Sequence, residues 1–205
     1  GGSRVEPWMH PQALGDYKLP NLDSLQQVAK EKNKNKLIEL KAKHGGIGEK
    51  DKGVEMGWHT QDCNDSQWVK LELPGLWEDQ GYEGVDGILW FRKTIELSTG
   101  EAAAGIELGL GKIDDSDWTY VNGQEIGSNV GAYAKDRVYK VAPEQLRAGA
   151  NLIAVRVEDT GGGGGIYGAD ELLYVKTIKG TRSLVGEWSM NIGQVKFNAG
   201  AGFQA

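Results

Sequence analysis

Three aspartates fall close together at Asp114, Asp115 and Asp117. Carboxylates at this spacing have three kinds of work open to them. They can gather round a hard cation such as Ca²⁺, which takes several carboxylate and carbonyl oxygens. They can act as the acid and base of a glycosidase, but such a pair faces the substrate from opposite sides, which neighbours on one strand do not. They can also accept backbone N–H bonds in a turn and pair with an arginine, here Arg92 or Arg156. The pattern favours structural carboxylates at Asp114, Asp115 and Asp117. Calcium or ligand contact stands second, and no metal or other cofactor is predicted.

Nucleophiles and bases are harder to find. No serine lies in a Gly-x-Ser-x-Gly elbow. The histidines are His10, His44 and His59, and three residues before them stand Pro7, Lys41 and Met56. No His-Glu-x-x-His zinc motif occurs. Cys63 stands alone, so an internal disulfide is excluded and a half-buried structural thiol is expected. Gly161 to Gly165 form a run of glycines, but no Lys-Ser or Lys-Thr follows to complete a phosphate-binding loop. Such a run is expected where backbone passes close to another surface.

Several segments must position these groups. Ile106, Leu108 and Leu110 alternate with other residues, as do Ile153, Val155 and Val157. Period-two alternation places one face of a strand in a core and the other in water. Turn residues punctuate the runs, and Asn122-Gly123 suits a tight hairpin in which both residues take positive φ. The fold expected is mainly β, an antiparallel sandwich. Before it, Leu22, Leu25, Val28 and Ala29, then Leu37 and Leu40, follow helical spacing, with Asp23 as a candidate cap and Gly45-Gly46 as a stop. This predicts an N-terminal helical segment, single or broken near Asn33–Asn35. Its lysines read as a solvated face.

Composition excludes other classes. The 205 residues carry a net charge of −6, which argues against a nucleic-acid partner. No apolar run is long enough to span a membrane as a helix. Glycine, 31 of 205, is about twice its usual ~7% share and fits many tight turns. Seven tryptophans provide plugs or flat sugar-stacking faces, with Trp77 and Tyr82 as candidate glycan contacts. The chain begins at Gly1 and not at Met, as a processed or shortened chain would.

Three blocks occur in order: Trp90-Phe91-Arg92-Lys93; Gly111-Lys112-Ile113-Asp114-Asp115-Ser116-Asp117 with Val121-Asn122-Gly123; and Val155-Arg156-Val157 running on to Gly165-Ile166-Tyr167-Gly168. Together with Leu184-Val185-Gly186-Glu187-Trp188, they resemble the galactose-binding-like jelly-roll domain of the sialate O-acetylesterase family, over about residues 50–190. The resemblance implies a parent enzyme that removes acetyl groups from sugars by serine-esterase chemistry, in the periplasm or secreted. The family's Gly-x-Ser-Asn and Asp-x-x-His motifs are absent here. The expectation is therefore a non-catalytic fragment that braces the esterase domain of the same parent chain or contacts acetylated carbohydrate. The alternative is a free-standing carbohydrate-binding module. Gly1, Gly2 and Glu6 resemble the edge of the esterase pocket. The implied organisation is a lead-in over 1–48, the sandwich over 49–182 and a return segment over 183–205.

Overall fold

The computed structural model describes residues 21–197. The chain divides into two compact units, residues 1–36 and 37–205. Within the described part of the first lies the opening of helix α1 (Leu22–His44), which runs unbroken through the lysine-rich stretch. Asn21 caps it: the Asp23 N–H donates to Asn21 Oδ1 at 3.1 Å. The cap is thus two residues earlier than the predicted Asp23. Leu22, Leu25 and Val28 are exposed, and Leu40 is the buried residue of the helix.

The second unit contains the strands. In chain order these are β1 (Val69–Leu73), β2 (Gly75–Leu76), β3 (Asp86–Leu97), β4 (Ile106–Asp114), β5 (Ser116–Val121), β6 (Gln124–Asn129), β7 (Asp136–Val141), β8 (Gly149–Asp159), β9 (Gly165–Tyr167), β10 (Leu173–Thr177), β11 (Gly180–Ser183) and β12 (Gly186–Lys196). A short helix α2 (Thr99–Ala104) follows β3, closed by a Ser98/Glu101 capping box. One sheet has the order β1-β12-β3-β8-β5-β6. The other has β11-β10-β4-β9-β2, with β7 on β4. All pairings are antiparallel, and the two sheets make the β-sandwich that the alternation predicts.

The longest ladder joins β3 to β8, from Gly87 opposite Asp159 to Leu97 opposite Gly149. Between the sheets pack Leu89, Phe91, Leu108, Leu110, Ile113, Ile153, Val155 and Val157, all buried. Residues 186–196, expected in the return segment, form β12, which lies between β1 and β3 and buries Trp188, Met190 and Ile192. They belong to the sandwich because their apolar side chains complete its core.

The outer face of the β3–β8 sheet departs from the expected alternation. Ile88, Trp90 and Ala154 point away from the main core yet are buried. Residues 51–68 cover them. Trp58 stacks edge-on against Trp68 and Trp90, at centroid distances of 5.1 and 6.2 Å. Arg92 donates to Asp65 Oδ2 at 2.9 Å and to the carbonyls of Trp58, Thr60 and Cys63. Asp51 accepts from Trp90 Nε1 at 3.0 Å and from Arg156 Nε at 2.6 Å. Gly53 is required beneath Trp90, since a Cβ there would overlap the indole. The two arginines proposed for the aspartate cluster are thus taken up by Asp65 and Asp51.

His44, at the end of α1, lies 2.8 Å from the Tyr82 hydroxyl through Nε2. Burial first, then Lys43, pushes its pKa down to about 4, against a hydrogen bond to the Asn191 side chain that acts the other way. The ring is neutral in the fold and takes up a proton on unfolding below about pH 6.5. Its contribution to stability is therefore present above 6.5 and lost as pH falls towards 4. His44→Gln should flatten the fall in melting temperature between pH 7 and pH 5, measured by thermal unfolding across that range. Parallel curves for both proteins would show that His44 does not carry this dependence.

Candidate functional site

The aspartates predicted as one group are separated by the fold. Asp117 lies on β5 with no exposed surface. Its Oδ1 accepts from Arg137 Nε at 2.7 Å, and its Oδ2 accepts from the Tyr139 hydroxyl at 2.7 Å and from Thr119 Oγ1 at 2.8 Å. Arg137 is buried too, and its other nitrogens donate to the carbonyls of Ala132, Lys135, Ile113 and Asp115. This is a closed ion pair with its hydrogen bonds satisfied, and it leaves nothing for a ligand.

Asp114 and Asp115 sit elsewhere, at the end of β4. The β4–β7 ladder slips between Gly109 and Lys112, where Gly111 takes a φ of +63°. A slip of this kind re-aims the residues that follow it. Asp114 and Asp115 then meet Asp159, the last residue of β8, with ligand oxygens all within 4.8 Å of one another. Strand pairing brings them together: the Asp115 N–H donates to the Glu158 carbonyl at 2.9 Å. Asp86 opens β3 beside them, and Glu78 comes from the turn after Trp77.

The loop after β8 holds these carboxylates by one oxygen each. Asp115 Oδ2 accepts from the Thr160 N–H at 2.8 Å and the Thr160 hydroxyl at 2.6 Å. Asp159 Oδ1 accepts from the Gly161 N–H at 2.9 Å. Glu78 Oε1 accepts from the Gly164 N–H at 2.9 Å. The second oxygens of Asp159 and Glu78, Oδ2 and Oε2, are buried without a partner. The glycine run serves this arrangement. A Cβ on Gly164 would fall inside the Trp77 ring, so the close surface expected for these glycines is the sandwich's own tryptophan.

The electrostatics follow from crowding like charges. Burial, then Asp115 and Glu78, pushes Asp114 up to about 7. Burial, then Asp86, Glu78 and Asp114, pushes Asp159 up to about 7 against the pull of the Gly161 N–H. Burial raises Glu78 and Asp86 as well. Burial also works against Asp115, but the Thr160 hydroxyl and N–H, with a bond to Asp114, outweigh it and hold Asp115 below the ordinary range. Asp86 and Asp159 share a hydrogen bond only when one carries a proton; otherwise two acceptors face each other.

The remaining candidates are placed as follows. Trp77 and Tyr82, expected as glycan contacts, are 0% and 1% exposed, so neither ring offers a free face. Trp77 stacks on Phe91 and donates from Nε1 to the Val85 carbonyl at 2.8 Å. The Cys63 thiol is pushed up by burial. His59 packs against Tyr120 at 5.1 Å. Gly1, Gly2, Glu6 and His10 lie outside the described residues. Asp159, Asp86 and Glu78 were not singled out from sequence. The available signal was position: Asp86 and Asp159 flank the two long apolar strands at the same end, and Asp159 stands just before the glycines.

No family model and no curated protein matches this chain. Among solved structures it is similar to a β-glucuronidase of Bacteroides uniformis, at 23% identity and TM-score 0.47 over 64% of this chain and 15% of that one. It is also similar to the Ruminococcus gnavus β-glucuronidase, at 19% identity and TM-score 0.47 over 55% and 19%. A third is the Bifidobacterium dentium β-glucuronidase complexed with coumarin-3-O-glucuronide, at 23% and 0.45 over 55% and 18%. The chain thus spans a fifth or less of these enzymes, and no activity is carried over from them. The resemblance to sialate O-acetylesterases is not upheld: no family model or curated protein supports it, and the solved structures named above are β-glucuronidases. The blocks that carried it are strand and turn residues, such as the Gly111 bulge and the Asn122-Gly123 turn, whose types sandwich geometry itself requires.

Two substitutions separate the buried pair from the crowded cluster. Asp117→Ala leaves Arg137 buried and uncompensated and should cost about 3–5 kcal/mol in urea unfolding. Asp159→Asn removes one of several converging charges and supplies an N–H donor. In buffer with monovalent salt only, at pH 8, it should raise the melting temperature. A clear fall would mean that the Asp159 charge gains more from the Gly161 N–H than it loses to its neighbours.

Proposed function

We propose that this chain works as a non-catalytic β-sandwich module that binds or braces and does not turn over a substrate. One observation carries the reading. Among the described residues, no hydrogen bond joins a serine, threonine or cysteine side chain to a histidine: His44 is engaged by Tyr82, and His59 packs on Tyr120. A nucleophile needs an adjacent base to act. Ser116, beside the acidic cluster, accepts from the Gly131 N–H at 2.9 Å and so serves the backbone.

The carboxylates do not favour glycosidase work either. Asp159 is 1% exposed, and the glycine loop is tied over it by Glu78 and Thr160. A glycosidic bond has to lie between acid and base, and a carboxylate as covered as Asp159 is poorly placed to serve as either. The rigid part of the module is the paired β3–β8 ladder with its two buried faces, a framework for holding a polar site at one strand end.

The purified chain should release no p-nitrophenol from p-nitrophenyl acetate or p-nitrophenyl β-glucuronide above a heat-denatured control. Ester turnover abolished by a fluorophosphonate, or glucuronide turnover lost in Asp114→Asn, would end this reading.

A further inference from the structure

We propose that the strand end formed by Asp114, Asp115 and Asp159, with Glu78 behind them, binds a divalent cation of the calcium class. The donors are all carboxylate oxygens, the hard ligands that Ca²⁺ and Mg²⁺ prefer and that softer metals do not require. The oxygens of the three aspartates lie within 4.8 Å of one another, close enough for one ion to touch all three. Magnesium holds its waters more firmly and demands near-octahedral geometry, which an all-carboxylate cage seldom supplies.

Proximity of acidic groups is common on protein surfaces, but these groups are not simply on a surface. Asp159 is 1% exposed, its Oδ2 is buried without a hydrogen-bond partner, and one of its oxygens lies within 4.8 Å of those of Asp114 and Asp115. Glu78 Oε2 is also buried and unpartnered. A buried carboxylate oxygen without a donor is costly, and several side by side more so. Arg137, whose charge lowers the Asp114 pKa against burial and its acidic neighbours, is itself engaged with Asp117 and four carbonyls. A bound cation would satisfy the orphan oxygens and the like charges together.

The glycine loop behaves as the outer support of such a site. Thr160, Gly161 and Gly164 each hold one oxygen of Asp115, Asp159 and Glu78 by a backbone N–H, which fixes the carboxylate planes. Groups that orient ligands in this way set affinity nearly as strongly as the ligands do. Trp77 packs on Gly164 and so fixes the loop from behind. Asp117, grouped with the other two by sequence, plays no part, and Asp159, distant in sequence, takes its place.

The test is calcium binding by the chain stripped of metal with chelator and returned to chelator-free buffer at pH 8. Titration calorimetry with CaCl₂ should show one saturable site, with a matching rise in melting temperature and weaker binding of MgCl₂. Asp159→Asn and, separately, Asp115→Asn should raise the calcium dissociation constant about 10-fold or more. Asp62→Asn, exposed and off the cluster, should leave it unchanged. Near-ultraviolet circular dichroism confirms that each variant is folded, and Glu78→Gln replaces any that is not. Absence of heat and of a melting shift up to about 10 mM calcium, well above the weak range for such sites, overturns the proposal. So does an unchanged dissociation constant in folded Asp159→Asn. A melting temperature that answers to pH but not to calcium would mean that a proton and not a cation quiets the cluster.

Discussion

Everything in the sandwich is referred to the antiparallel ladder between β3 and β8. It runs from Gly87–Asp159 to Leu97–Gly149, and its two faces serve two different cores. Leu89, Phe91, Val155 and Val157 fill the space between the sheets, while Trp90 and Ala154 lie under the covering segment 51–68. Strands buried on both faces read as near-continuous apolar runs, which is how Ile88-Leu89-Trp90-Phe91 reads. Because the strands are antiparallel, the start of β3 and the end of β8 fall at the same end. That places Asp86 and Asp159 beside each other, and the β4–β5 connection delivers Asp114 and Asp115 to the same place.

The molecule handles its buried acids in two opposite ways. Asp117 is matched with Arg137, Tyr139 and Thr119, so its desolvation is offset by charge and hydrogen bonds. The Asp159 group is held at one oxygen and left open at the other. The first arrangement fixes structure and has no remaining valence. The second keeps unpaired acceptors in low dielectric, where each is costly unless something fills the space between them. Two residues apart in sequence, Asp115 and Asp117 fall on different sides of that division.

The covering segment shows how a charged side chain organises a surface that would otherwise be apolar. Arg92 and Arg156 project from adjacent strands of the sheet and anchor residues 51–65 through Asp65, Asp51 and three carbonyls. Their planar donors suit several acceptors at once. Arg156 also lies over the Trp118 ring at 4.4 Å, and Arg92 over Trp68 at 5.5 Å. Trp77, read from sequence as a sugar platform, is thus absorbed into packing on one side of the sheet, as Trp90 is on the other.

Local pattern alone determined the mainly β fold, an N-terminal helical segment though not its continuity past residues 33–35, the Asn122-Gly123 turn and the inward-facing sets Ile106/Leu108/Leu110 and Ile153/Val155/Val157. Period, turn chemistry and capping act over a few residues, so they are legible without the rest of the chain. The Ser98/Glu101 capping box was equally legible in principle, from its Ser-x-x-Glu spacing. Tertiary structure decided the rest. Nothing local shows that residues 186–196 add a strand between β1 and β3, or that residues 51–68 turn the outer face of a sheet into a second core. The candidate site was half legible: Asp114 and Asp115 stood out, but their companion is Asp159 and not Asp117. Spacing in sequence reports which side chains share a strand. Which strand ends meet depends on pairing across many residues, and a one-residue bulge at Gly111 is enough to aim neighbouring carboxylates at different partners.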